Sequence, residues 1–137
     1  MLTSAHPDVD RASAAASGEL GVSTIVSTTA STALEVVAEQ TAGAPAWFQL
    51  YWVNDREIVA SFVSRAAAAG FAAIVVTLDT MTLGWRPRDL RNAYLPFIQG
   101  EGCARFFTDA VFRSRPDKPP EEAMLRAAPP RLSTFPS

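Results

Sequence analysis

The chain alternates between runs that are apolar at nearly every position and segments whose apolar residues recur every three or four positions. Phe71-Ala-Ala-Ile-Val-Val76 contains no polar residue. Such a run reads as a strand buried on both faces, as in a parallel sheet under helices. Ala46-Trp-Phe-Gln-Leu-Tyr-Trp52 reads as another strand, and Ser23-Thr-Ile-Val-Ser27, short and partly β-branched, as a third. Ahead of the first of these, Val9 to Leu20 is rich in alanine and follows Pro7, which a first helical turn tolerates. Gly18 weakens the end of that helix. Thr32-Ala-Leu-Glu35 has the spacing of a capping box and predicts a short helix, broken at Gly43-Ala-Pro45. Asn54-Asp55 offers a further cap. Beyond it Ile58, Val59, Phe62, Val63, Ala66 and Ala67 form a wide apolar stripe, and Gly70 ends the helix. Helices are therefore predicted at about 8–19, 32–41 and 55–69, and strands at about 23–27, 46–51 and 72–78. The order α-β-α-β-α-β requires parallel strands with right-handed crossovers.

After Arg86 the pattern changes. Residues 87–102 read as a long loop and Ala104 to Arg113 as a short helix. Prolines are dense from Arg115 onward, and a proline-rich segment cannot continue a helix or a central strand. The expected organisation is one folded unit over 1–113 and a mostly disordered tail over 114–137, with a helical turn at Glu121–Arg126.

Composition narrows the functional classes. A chain of 137 residues that is 48% hydrophobic and 19% charged can bury the core of one domain. A net charge of -2 gives no electrostatic reason to expect nucleic acid or an anionic membrane as partner. No apolar run approaches the ~20 residues of a membrane-spanning helix. The first residues lack the basic and apolar regions of a signal peptide. The single cysteine, Cys103, excludes a disulfide within the chain and a multi-cysteine zinc site, and the single histidine, His6, excludes a two-histidine metal site. A reduced, cytoplasmic setting is expected.

Candidate chemistry gathers where two strands end. Gln49 and Tyr51 lie late in the second strand. Thr77, Asp79 and Arg86 follow the third. In an α/β barrel the C-terminal ends of the strands carry the chemistry. An amide, a phenol, a hydroxyl and a guanidinium would thus share one face. Taken alone, Gln49 and Tyr51 would also suit a half-buried strand facing a satisfied core. Ser27 could equally be a strand-end hydroxyl bonded to backbone. Asp79 reads as ordering its loop, Trp47, Trp52 and Trp85 as packing residues, Cys103 as a bystander, His6 as a surface or loop residue, and the basic residues at 105–118 as a solvated segment.

Four motifs carry a family resemblance. Ala5-His-Pro7, Ser27-Thr-Thr29, Trp47-Phe-Gln-Leu-Tyr-Trp52 and Thr77-Leu-Asp-Thr-Met-Thr-Leu-Gly-Trp-Arg86 resemble the FMN-dependent α-hydroxy acid oxidases and dehydrogenases. The match covers roughly residues 4 to 120. Tyr51-Trp52, Leu83-Gly-Trp-Arg-Pro87 and Tyr94-Leu-Pro-Phe97 look most like lactate 2-monooxygenase. The resemblance implies a TIM barrel with FMN at the C-terminal face of the strands. Ser27, Gln49 and Thr77 take the positions of flavin-binding residues. Tyr51 and Arg86 take those of substrate-binding residues, a guanidinium fork matching a carboxylate bidentately. The implied reaction is oxidation of a small α-hydroxy acid such as lactate, in a monooxygenase to acetate and carbon dioxide with O2.

A whole (β/α)8 barrel takes ~200 residues or more, and three strands are legible here. The fold class expected is thus a partial barrel of about three parallel strands with covering helices. The family's catalytic base is a histidine in the barrel's C-terminal half, beside a substrate-binding arginine, and no motif here corresponds to it. No catalytic residue is assigned, and the chain on its own is expected to be inactive. A non-catalytic remnant with an interaction role is the alternative, and self-association or a complementing barrel half is the expected macromolecular partnership.

Overall fold

A computed structural model describes residues 5–79, 84–92, 94, 97, 100–117, 119, 120 and 122. Three helices and three strands alternate: α1 (Val9–Leu20), β1 (Thr24–Ser27), α2 (Leu34–Gln40), β2 (Ala46–Tyr51), α3 (Arg56–Ala68) and β3 (Ala73–Thr77). The strands form one sheet in the order β1-β2-β3, and both pairings are parallel. This is the expected partial barrel, with predicted boundaries displaced by a residue or two. Shorter helices follow, among them α4 (Pro87–Arg91), α5 (Ala104–Phe107) and α6 (Ala110–Arg113). The expectation for the end of the tail, from residue 123 on, falls outside the described residues.

The two faces of the sheet differ. Val26 of β1 and Ala46, Phe48 and Leu50 of β2 are buried against the helices, where Leu34, Val37, Ile58, Phe62 and Ala66 meet them. The alternate residues Ile25, Ser27, Trp47, Gln49 and Tyr51 face the other way, and register places Ala73, Val75 and Thr77 beside them. β3 does not have the double burial its sequence suggests. Ile74 and Val76 share the face of Phe48 and Leu50 yet are 36% and 44% exposed. No described helix covers them, so their apolar side chains meet water. The tryptophans depart from expectation in the same way: Trp47, Trp52 and Trp85 are 39%, 58% and 83% exposed rather than packed.

Local signals fare unevenly. Asp55 caps α3, accepting from the N–H groups of Glu57 and Ile58 at 2.9 and 3.4 Å. Gly70 follows that helix with φ +84°, a left-handed conformation that favours glycine. The capping box at Thr32 does not form. Ala33 occupies the cap position without a side-chain bond, and Glu35 turns instead to Arg65. The first-turn Asp10 of α1 accepts from the backbone N–H groups of Ser31 and Thr32 at 2.9 and 3.1 Å, so the loop before α2 is held by α1. Gly18 also serves packing. A Cβ there would lie 2.6 Å from the carbonyl oxygen of Thr41, so its lack of a side chain lets α1 approach the end of α2.

Residues 87–102, expected as loop, contain α4, which begins on Pro87. The helix expected over 104–113 is two helices divided at Asp109, which caps the second by accepting from the N–H of Phe112 at 2.9 Å. Phe106 joins this segment to the core through edge-on contacts with Phe62 and Phe112, each at 5.1 Å. The basic residues here are not all solvated. Arg105 is only 1% exposed, and its Nη1 donates to the carbonyl of Thr32 at 2.6 Å.

Candidate functional site

Three strands deliver a continuous line of polar atoms to the face away from the helices. Ser27 is the last residue of β1 and pairs in register with Gln49 of β2. Its hydroxyl donates to Gln49 Oε1 at 2.7 Å. Gln49 Nε2 in turn donates to Thr77 Oγ1, on the last residue of β3, at 2.7 Å. Thr29 extends the line, with its hydroxyl 3.0 Å from that of Ser27. Parallel pairing brings all three strands to this end together, and period-two alternation puts the side chains on one face. Each group is half-buried. The second N–H of the Gln49 amide, its second carbonyl lone pair and the free lone pairs of the Thr77 and Thr29 hydroxyls can meet a ligand, and Ser27, whose Oγ also accepts from the Thr29 N–H at 3.1 Å, can do so by exchanging a partner.

Tyr51 lies on the same face, opposite Thr77 in the register, and is half-buried. The geometry thus assembles Ser27, Gln49, Thr77 and Tyr51. Arg86 is the predicted site residue that it does not join to them. Its side chain is 58% exposed and its nearest described ionic partner is Asp89, at 3.8 Å. Residues 80–83, between β3 and Arg86, lie outside the described residues, and Asp79 is exposed. His6 is exposed in the turn before α1, where its Nδ1 accepts from the N–H of Asp8 at 3.2 Å. Among the described residues no group of histidine, cysteine, aspartate or glutamate could hold a metal ion. No helix among them is long and apolar enough to cross a membrane.

Behind the site stands a residue that sequence reasoning passed over. Thr28 is 1% exposed, and its hydroxyl donates to the Gln49 carbonyl at 2.7 Å and accepts from the Tyr51 N–H at 3.1 Å. Its place between Ser27 and Thr29 in the motif that carries the family resemblance was the only sign available.

The strongest charges lie on the helical side instead. Arg65 reaches Glu35 at 2.8 Å, the fully buried Asp109 at 3.2 Å, the Thr108 hydroxyl at 2.8 Å and the Arg105 carbonyl at 3.1 Å. The hydrogen bond from Arg65 holds the Glu35 carboxyl below its ordinary pKa, and Glu35 in turn raises that of Arg65. Burial brings Arg105 down to about 10 and pushes the Cys103 thiol up. The polar line on the open face is made of neutral groups, so its chemistry is hydrogen bonding rather than ion pairing.

A neutral, alternating set of donors and acceptors along one sheet face suits the polar edge of a planar heterocycle such as a flavin. The model of the FMN-dependent dehydrogenase family matches residues 1–128. An FMN-dependent α-hydroxy acid dehydrogenase of Penicillium citrinum is 45% identical over 113 residues, 82% of this chain and 28% of that protein. An L-lactate oxidase of Lysinibacillus sphaericus is 43% identical over 107 residues, covering 78% of this chain and 28% of its own length. In structure, a mandelate oxidase with (S)-2-phenylpropionate aligns with TM-score 0.66 at 35% identity, over 82% of this chain and 35% of the oxidase. The chain thus spans about a third or less of each of these relatives. It belongs to the FMN-dependent dehydrogenase family.

Proposed function

We propose that this chain supplies the flavin-facing part of a site that oxidises an α-hydroxy acid. The observation that carries the proposal is the hydrogen-bonded line Ser27–Gln49–Thr77 across the ends of three parallel strands. FMN, when bound, accepts the two electrons that leave the substrate carbon. Ser27, Gln49 and Thr77 would hold it by hydrogen bonds and fix its plane against the sheet. Tyr51, two residues beyond Gln49 on the same face, would bind the substrate hydroxyl or carboxylate. Arg86 would pair with the carboxylate, exchanging its long contact with Asp89 for a bidentate one.

The substrate class is a small α-hydroxy acid. Within it the reading is lactate, oxidised with O2 to acetate, carbon dioxide and water, because the motifs at 51–52, 83–87 and 94–97 resemble lactate 2-monooxygenase. Relatives named for lactate and for mandelate support the class and leave the side-chain pocket as the point of choice. The proposed setting is a reducing cytoplasm, in keeping with a lone, buried Cys103.

Proton removal needs a positioned base, which typically contributes ~10²–10⁴ in rate. The one histidine, His6, is engaged with the start of α1. Turnover is therefore assigned to the assembly of this chain with the remaining strands of a barrel, and the 137-residue chain by itself is expected not to turn over. FMN titration of the chain, alone and with the C-terminal part of a full-length relative, is the test. Quenching of flavin fluorescence that saturates, followed by lactate-dependent oxygen consumption only in the mixture, is the expected result. No flavin binding in either sample would favour a non-catalytic interaction fragment.

A further inference from the structure

We infer that Thr28 is a positioning residue for this site, its hydroxyl setting the spacing between Gln49 and Tyr51. The sheet pairing between β1 and β2 ends at Ser27 opposite Gln49. The next residue donates its backbone N–H to the Gln49 carbonyl at 2.9 Å, as a continuing parallel ladder would. The following ladder bond would run from the Tyr51 N–H to the carbonyl of Thr28. The chain turns at 28–29, however, and the Thr28 hydroxyl accepts that bond instead, at 3.1 Å.

The same hydroxyl donates its own proton to the Gln49 carbonyl at 2.7 Å. One oxygen thus ties both ends of Gln49-Leu50-Tyr51, while β1 is free to leave the sheet. Its departure is what brings the Thr29 hydroxyl within 3.0 Å of Ser27. Thr28 is 1% exposed and its hydroxyl is taken up by backbone groups of β2, so it offers nothing to a ligand on the open face. It acts through the backbone of the two residues that do face it. Serine would preserve this function, and valine, which matches threonine in shape, would leave the Tyr51 N–H without a partner.

The role rests on reading Gln49 and Tyr51 as site residues, so the experiment reads position and flavin binding separately. Thr28→Val and Thr28→Ser are made in the full chain. Amide hydrogen exchange at Tyr51 and the chemical shift of the Gln49 side-chain amide are followed by NMR, and FMN affinity by fluorescence. Thr28→Val should speed Tyr51 exchange about tenfold relative to amides of α3, the size of effect one lost hydrogen bond gives. It should also shift the Gln49 amide and weaken FMN binding, and Thr28→Ser should restore all three. Unchanged exchange and shift in Thr28→Val, or a serine variant as defective as valine, would overturn the role. If Thr28→Val fails to fold by circular dichroism, the serine variant decides: retained Tyr51 exchange and Gln49 shift support the role, and their loss overturns it. If the unaltered chain binds no FMN, the flavin reading fails while the two amide readouts still decide where Thr28 acts.

Discussion

Gln49→Leu would keep the length of β2 and remove both bonds that cross the open face. Gln49 is only half-buried, so the fold should survive. Flavin affinity should fall about tenfold or more, the cost of losing at least one bond to a ligand and of leaving the Thr77 hydroxyl without its amide partner. Fluorescence titration with circular dichroism as the folding control measures this. A second residue gives a prediction opposite in sign to helix propensity. Alanine is favoured over glycine inside a helix by about 1 kcal/mol. At Gly18 the added Cβ would meet the Thr41 carbonyl oxygen at 2.6 Å, and that atom belongs to backbone. Gly18→Ala should therefore destabilise, by about 1–3 kcal/mol as overpacking does, and urea denaturation would show a lower midpoint.

Among the elements, the α5–α6 segment depends on a clasp that sequence could not show. Arg65 sits on α3, Glu35 on α2 and Asp109 between α5 and α6, and the three meet from positions 30 and 44 residues apart. Asp109 also accepts from the Ser61 hydroxyl at 2.6 Å. Asp109→Ala leaves the Arg65 charge partly buried without this partner, and the loss should be about 3 kcal/mol. The Glu35 arm is weaker because its side chain is 46% exposed. Its sign is fixed by its lowered pKa. The pair's contribution is present above the ordinary value of 4.5 and is lost as pH falls through the depressed folded value. Glu35→Gln should flatten that acid limb of stability by under about 1 kcal/mol, read from thermal melts between pH 7 and acid. What sequence did disclose follows the same division. The strands, α1 and α3 were legible because their signals are local: period, cap and terminal glycine. That Gln49 and Thr77 share one face was legible from their places late in parallel strands, and Ser27 stood out only through the family resemblance. Arg105 was misread as solvated, Thr32 as a cap and Trp52 as packed, because each depends on which distant segment arrives beside it.

At the scale of the whole molecule, neither edge strand of the three-stranded sheet has a further strand partner among the described residues. β1 offers its backbone on one side and β3 on the other. The edges are not blunted by charge: Ile25 is 56% exposed, Val76 44% and Leu78 81%. A cavity of about 100 Å³ lies between α1 and β1 and reaches Ser27. Exposed apolar edges of this kind template pairing with another chain. A net charge of -2 supplies little repulsion against it. The chain purified by itself should therefore self-associate, with an apparent mass that rises with concentration in size-exclusion chromatography and light scattering. Val76→Lys places a charge on the β3 side that no described helix covers. It should shift the population toward monomer, with circular dichroism showing that the fold is kept. Adding the complementary strands of a full-length relative should achieve the same shift by pairing the edges, now with a defined heterodimer mass. A monodisperse monomer at all concentrations, unaffected by Val76→Lys, would show that the sheet edges are closed in solution by a packing other than the one described.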